Sequence, residues 1–204
     1  MREVTPAGDS DGEQLAGYTV VEFAGSAEEP RSYLQAVNGP NGLHWKRAAE
    51  EEINTLVANG TWEIVDRPPD VKPLRSGWVF KVKMNPDGSI ERYKGRLVAK
   101  GCSQRPGVDF NEVFAPTFRP AALRLILALA AAEDLHLRSI DISSAFTYGD
   151  LEEDIYMHQP EGFQEGGPNK VLKLKKSLYG LKQAARQWNK KLAQCAGRLG
   201  LQKA

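Results

Sequence analysis

The residues best suited to chemistry lie in LRSIDISSAFTYGDLEEDIYM (137–157). There a single aspartate, Asp141, stands between Ile140 and Ile142, and Phe146 follows five residues later. An aspartate at the end of a short apolar strand has two readings. It can cap the turn that follows, helped by Ser143 and Ser144. It can also be a hard oxygen ligand for Mg²⁺, an ion commonly held by one or two carboxylates together with substrate phosphates. The local pattern leaves both open, and Phe146 taken alone reads as a core aromatic. The nearby acids Asp150, Glu152, Glu153 and Asp154 read as a solvated acidic loop rather than a second site. His44, His136 and His158 share no metal-ligand spacing.

Cations form the second chemistry-bearing group. The formal net charge of +1 conceals a marked asymmetry. Residues 1–30 are acidic and carry only Arg2 as a base. Residues 78–105 hold Lys81, Lys83, Arg92, Lys94, Arg96, Lys100 and Arg105 against Asp87 and Glu91. Residues 170–191 hold Lys170, Lys173, Lys175, Lys176, Lys182, Arg186, Lys190 and Lys191 with no acid. Two such segments either converge on one polyanion-binding groove or form two solvated faces.

The elements that must position these groups can be read from periodicity. Residues 1–40, rich in Gly, Pro, Ser and acids, read as a flexible acidic arm or linker. LHWKRAAEEEINTLVANGT puts Trp45, Ala49, Ile53, Leu56 and Val57 on one helical face and stops at Asn59-Gly60. TWEIV reads as a strand. GWVFKVKMNPDGSIERYKGRLVAKG (77–101) reads as a β-hairpin with NPDG as its turn. Its return strand sends Lys94, Arg96 and Val98 to one face and Gly95, Leu97 and Ala99 to the other. A helix is expected over 119–134, with Leu123, Ile126, Leu127 and Ala130 as a buried stripe. Strands are expected at 136–142, DIYMHQ and VLKLKK. A last helix over 181–200 carries Trp188, Leu192, Cys195 and Leu199 on one face, and Gly200 ends it. Cys102 and Cys195 form no CxxC pair, which argues against zinc and a disulfide scaffold and fits a reducing compartment. The N-terminus has no apolar core of the secretory kind, and the longest apolar run, LILALAAA (125–132), is too short to span a bilayer.

Taken together, NGTWEIV, GWVFKVK, RYKGRLVAKG, FAPTFR, SIDISSAFTYGDLEEDIYMHQPEGF and KSLYGLKQAARQW resemble, in consecutive order over residues 43–200, the reverse transcriptase of copia-type LTR retrotransposons. The resemblance implies an α+β fold: a fingers β-hairpin and an incomplete polymerase palm, an antiparallel sheet with helices packed on it, over 41–204. It implies that Asp141 bridges two Mg²⁺ ions about 3.5–4 Å apart and that Ile142 lends a backbone carbonyl to a metal. It implies that Phe146 is a steric gate against the ribose 2′-hydroxyl, and that Lys83, Lys94 and Arg96 clamp the incoming triphosphate. Tyr179 and Gly180 would lie beside the nascent base pair, with Lys182 and Arg186 on backbone phosphates. The chain departs from the pattern at Ala185, where proline is frequent, and at Gly95, where alanine is usual.

The resemblance also predicts what to look for elsewhere. The family's other two metal carboxylates sit in a downstream Tyr-x-Asp-Asp hairpin, and no Asp-Asp dipeptide occurs in the 204 residues. The chain is therefore expected to stop before that hairpin and to be inactive alone. The implied partners are an RNA template, a DNA primer, dNTPs, and the remaining palm, thumb and RNase H regions of a parent polyprotein, in the cytoplasm and with no membrane. The alternatives are a non-catalytic nucleic-acid-binding module and an inert retroelement relic.

Overall fold

The computed structural model describes residues 29–117 and 119–200. Helix α1 (Tyr33–Asn38) begins where the Ser32 hydroxyl accepts the Gln35 N–H at 3.2 Å. It falls inside the segment expected to be an arm, of which residues 1–28 lie outside the described residues. Helix α2 (Gly42–Ala58) turns Trp45, Ala48, Ala49, Glu52 and Leu56 inward. Val57, expected on that face, is exposed, because it follows Leu56 by about 100° around the axis. Gly60 ends the helix with φ +65°, the left-handed conformation that Asn-Gly admits at low cost.

Strand β1 (Trp62–Asp66) follows, then β2 (Ser76–Met84) and β3 (Ile90–Ala99). The last two form a separate antiparallel hairpin pairing Trp78 with Leu97 and Phe80 with Gly95. At its tip the Asp87 carboxylate accepts the Ser89 N–H at 2.8 Å, and Gly88 takes φ +84°. The period of two holds as expected: Trp78, Phe80, Gly95, Leu97 and Ala99 face inward. Gly95 lets α2 approach closely: a Cβ there would lie 3.2 Å from the Ala48 carbonyl oxygen, so an alanine needs α2 to shift by a few tenths of an ångström. Strands β4 (Asp150–His158) and β5 (Lys170–Lys176) join β1 in an antiparallel sheet of order β1-β5-β4. The core lies between α2, the hairpin and this sheet. Trp45 meets Phe80 edge-on at 5.3 Å and Trp78 stacks on Phe80 at 5.7 Å, while Ile155, Met157, Leu172 and Leu174 supply the sheet's side. The fold is thus α+β, as expected.

Four expectations fail locally. Residues 135–142 form no strand: they run without regular structure, and Leu135, Leu137 and Ile140 are exposed. A strand needs a neighbour for its backbone groups, and no described strand pairs with this segment. Helix α3 (Pro120–Ala132) starts at Pro120, but of the expected stripe only Ala130 is buried; Leu123, Ile126 and Leu127 are exposed. Asp150, Glu152, Glu153 and Asp154 lie in strand β4 rather than in a loop. Helix α4 (Ala184–Arg198) starts three residues later than expected and buries Ala184 and Gln187, whereas Leu192 and Cys195, and Leu199 just past its end, are exposed. Gly200, with φ +79°, follows its end as expected. Among the described residues no helix is long and apolar enough to cross a membrane.

Candidate functional site

The hairpin concentrates positive charge at a cost to itself. In its register Lys81 stands opposite Lys94 and Lys83 opposite Arg92, and like charges directly across an antiparallel pair are destabilising. Lys81 is offset by Glu29, which ion-pairs with it and accepts the Val82 N–H. Lys83, Lys94 and Arg96 have no ion pair among the described residues. Burial holds the Lys94 ammonium below its ordinary pKa, and the neighbouring Arg96, Arg92 and Lys83 push the same way. Such a cluster is suited to an anionic ligand.

Three of the residues named from sequence meet in one stack. The Arg96 guanidinium lies over the Tyr179 ring, 5.2 Å from its centroid. Tyr179 meets Phe146 edge-on at 5.7 Å and 86°. They come from β3, from the turn after β5, and from a short 3₁₀ turn, Ala145–Tyr148. That last turn is firmly anchored. Ser177 Oγ donates to the Phe146 carbonyl, Asn59 Nδ2 donates to the Thr147 carbonyl at 2.7 Å, and Thr147 Oγ1 donates to the Ser144 carbonyl at 2.9 Å. Arg96 Nε is buried with no hydrogen-bond partner. Gly180, with φ +89°, sits against the end of β3 rather than over open space.

Asp141 is exposed and makes no hydrogen bond or ion pair with the described residues. No side chain caps the 3₁₀ turn that follows it. Ile142 is 40% exposed. Two and three residues on, Ser143 and Ser144 line a cavity of about 240 Å³ with Glu51, Glu52, Thr55, Arg92 and Lys94, between α2 and the hairpin. No group of three or more His, Cys, Asp or Glu side chains is placed to hold a metal ion among the described residues. Mg²⁺ is commonly held by one or two carboxylates, with waters and substrate phosphates completing its octahedron, and Asp141 is the one carboxylate within residues 135–142.

The second basic segment does not join the first as a free cationic face. Lys170 pairs with Asp66, Lys173 with Asp154, Lys175 with Glu63, Lys190 with Glu152 and Lys191 with Asp150, at 2.6–3.0 Å. Arg186 pairs with Glu112. Lys182 lies over the Phe110 ring at 4.8 Å. The acids of β4 are thus the counter-ions of β5 and α4.

Sequence reading missed Glu52. It is only 9% exposed, and its Oε1 accepts the Leu97 N–H at 3.3 Å. Its place on the inward stripe Trp45, Ala49, Glu52, Leu56 was the available signal. Burial pushes its carboxyl above the ordinary range, and the Leu97 N–H, Lys94 and Arg96 offset this only in part. The folded chain therefore holds this proton more tightly than the unfolded chain. The resulting stability is complete below the ordinary carboxylate pKa and is lost as pH rises through the raised value. Glu52→Gln keeps an oxygen for Leu97 and cannot ionise. Thermal unfolding across a pH series is expected to show the variant's Tm gaining on the parent's as pH rises; parallel curves would contradict the assignment.

Residues 59–204 match the family described as reverse transcriptase (RNA-dependent DNA polymerase). The chain is similar to the retrovirus-related Pol polyprotein from transposon TNT 1-94 of Nicotiana tabacum, 47% identical over 161 residues, covering 78% of this chain and 12% of that protein. It is similar to the corresponding polyprotein from transposon RE1 of Arabidopsis thaliana, 42% identical over 173 residues, covering 84% of this chain and 12% of that protein. An uncharacterized mitochondrial protein of Arabidopsis thaliana is 41% identical over 103 residues, half of this chain and 59% of that protein. The chain thus spans about 12% of the length of the two polyproteins. No solved structure matches it.

Proposed function

Since the chain belongs to the reverse transcriptases of copia-type retrotransposons, we propose that it supplies the fingers and part of the palm of an RNA-directed DNA polymerase. The enzyme extends a DNA primer on an RNA template with dNTPs. The observation that carries this reading is the Arg96–Tyr179–Phe146 stack, in which a cation, an aromatic platform and a bulky ring from three elements share one place. In this reading Lys83, Lys94 and Arg96 meet the triphosphate, and preorganised cations there stabilise charge on the transferring phosphoryl group. Tyr179 and Gly180 border the new base pair, Lys182 and Arg186 touch nucleic-acid backbone, and Phe146 excludes the ribose 2′-hydroxyl.

Mg²⁺ is the cofactor of this reading. Asp141 and the Ile142 carbonyl contribute ligands to a site completed by residues other than those described, in the remaining palm, and the thumb and RNase H regions hold the primer–template. The 204 residues alone are accordingly expected not to polymerise. The many exposed apolar side chains on α3 and within residues 135–142 support a further layer of the parent polyprotein there, since large exposed apolar surface marks interaction sites.

The reading is tested in the tobacco relative's Pol polyprotein with its matching region replaced by this chain. Phe146→Ala is expected to lower the preference for dNTP over rNTP, as a ratio of kcat/KM values, by about 10- to 100-fold, the range a change in apolar pocket shape commands. An unchanged ratio would refute the gate.

A further inference from the structure

Two glutamines that no sequence signal singled out close a buried network across the chain. Gln183 is fully buried and Gln104 is 4% exposed. Gln104 follows the 3₁₀ turn Gly101–Ser103 that leaves β3, and Gln183 immediately precedes α4. Gln104 Nε2 donates to Gln183 Oε1 at 3.0 Å and to the Asp109 carbonyl at 3.4 Å. Gln183 Nε2 donates to the Asp109 carbonyl at 2.9 Å and to Glu153 Oε2 at 3.2 Å. Gln104 Oε1 accepts the Lys182 N–H at 2.8 Å. Each amide is used as donor and acceptor together, which neither a carboxylate nor an apolar side chain can do. A satisfied buried network fixes direction as well as proximity, and a half-satisfied one is costly.

What this network holds is the turn that carries Tyr179. On one side the Ala99 N–H donates to the Tyr179 carbonyl at 2.8 Å, and Gly180 abuts Ala99 and Gly101. On the other side the backbone of Lys182 and the side chain of Gln183 are tied to Gln104. Tyr179 in turn is the surface on which Phe146 rests. We propose that Gln104 and Gln183 are positioning residues for sugar discrimination: they set Tyr179, and Tyr179 sets the Phe146 ring. The proposal rests on the reading of Phe146 given above.

Gln183→Glu keeps volume and an acceptor but loses both N–H donors and sets a carboxylate beside Glu153. Gln104→Glu keeps the acceptor for Lys182 and loses its donors. In the 204-residue chain, hydrogen exchange is expected to be up to about tenfold faster at the Ala99 and Lys182 amides of Gln183→Glu, the effect of losing about one hydrogen bond. The Lys175 amide, bonded to the Thr61 carbonyl at 2.8 Å in the sheet, should stay as in the parent. In the polyprotein chimera both variants are expected to move the dNTP/rNTP ratio toward that of Phe146→Ala. A ratio of kcat/KM values on one enzyme preparation does not depend on the fraction folded, so mere destabilisation cannot mimic this. If Phe146→Ala relaxes the ratio and the glutamine variants leave it at the parental value, the positioning role is wrong. If Phe146→Ala itself leaves it unchanged, the gate reading falls first and the proposal with it.

Discussion

Replacing Gly180 by alanine is expected to destabilise the chain by about 2–5 kcal/mol, a large share of the roughly 5–15 kcal/mol that holds a domain folded. Two terms add. The residue has φ +89°, a conformation that costs an L-residue about 1–2 kcal/mol. A Cβ there would lie 2.1 Å from the Ala99 carbonyl oxygen, and overpacking against atoms that cannot turn away costs about 1–3 kcal/mol. The contact is reciprocal, since a Cβ on Gly101 would lie 2.1 Å from the Gly180 carbonyl oxygen. Neither side can yield without parting the Tyr179 turn from β3. Gly60→Ala is the control: its φ is +65° and nothing lies within 4 Å of its added Cβ, so only the conformational term applies. Urea unfolding of the two variants measures the difference. Equal losses would mean that the seam between the turn and β3 is not tight. The resemblance gave Gly180 a role toward the nucleotide; within the chain it is first a packing requirement.

The parts of the fold that could be read from sequence are those whose signal is local. The hairpin carries a period of two and a Pro-Asp-Gly turn, and both appear where expected, except that the register shifts at Lys83/Met84 and leaves Met84 exposed. Helix α3 could be found but not oriented. Leu123, Leu125, Ile126, Leu127 and Leu129 surround its axis, and an apolar circumference does not say which side is covered. The segment around Asp141 has strand-like composition, but a strand is completed by its neighbour, and no residue within 136–142 encodes that neighbour. The acids of β4 looked solvated because their partners, Lys173, Lys190 and Lys191, lie far along the chain. Glu52 was legible in its helical spacing; Gln104 and Gln183 were not, because each is defined only by the other. For the candidate site, the residue types were readable and their assembly was not: Arg96, Tyr179 and Phe146 sit on three elements whose meeting depends on the glycine seam.

In the polyprotein chimera Asp141→Asn is expected to lower primer extension by about 10²- to 10³-fold or more, the scale of losing one preorganised charge-stabilising group. The same substitution in the 204-residue chain is expected to change stability by less than about 0.5 kcal/mol, because Asp141 is exposed and bonded to none of the described residues. The pair of measurements separates the two readings that the local sequence left open. Asparagine caps a turn about as well as aspartate, whereas alanine costs roughly 1 kcal/mol at such a position. A capping role therefore predicts a silent Asp141→Asn and a destabilised Asp141→Ala. A ligand role predicts the reverse: both variants fold like the parent and both fail in extension, since neither offers an anionic oxygen to a cation. Full extension by Asp141→Asn would remove the carboxylate from the chemistry, and with it the reason for placing the hairpin's cations opposite a polymerisation site.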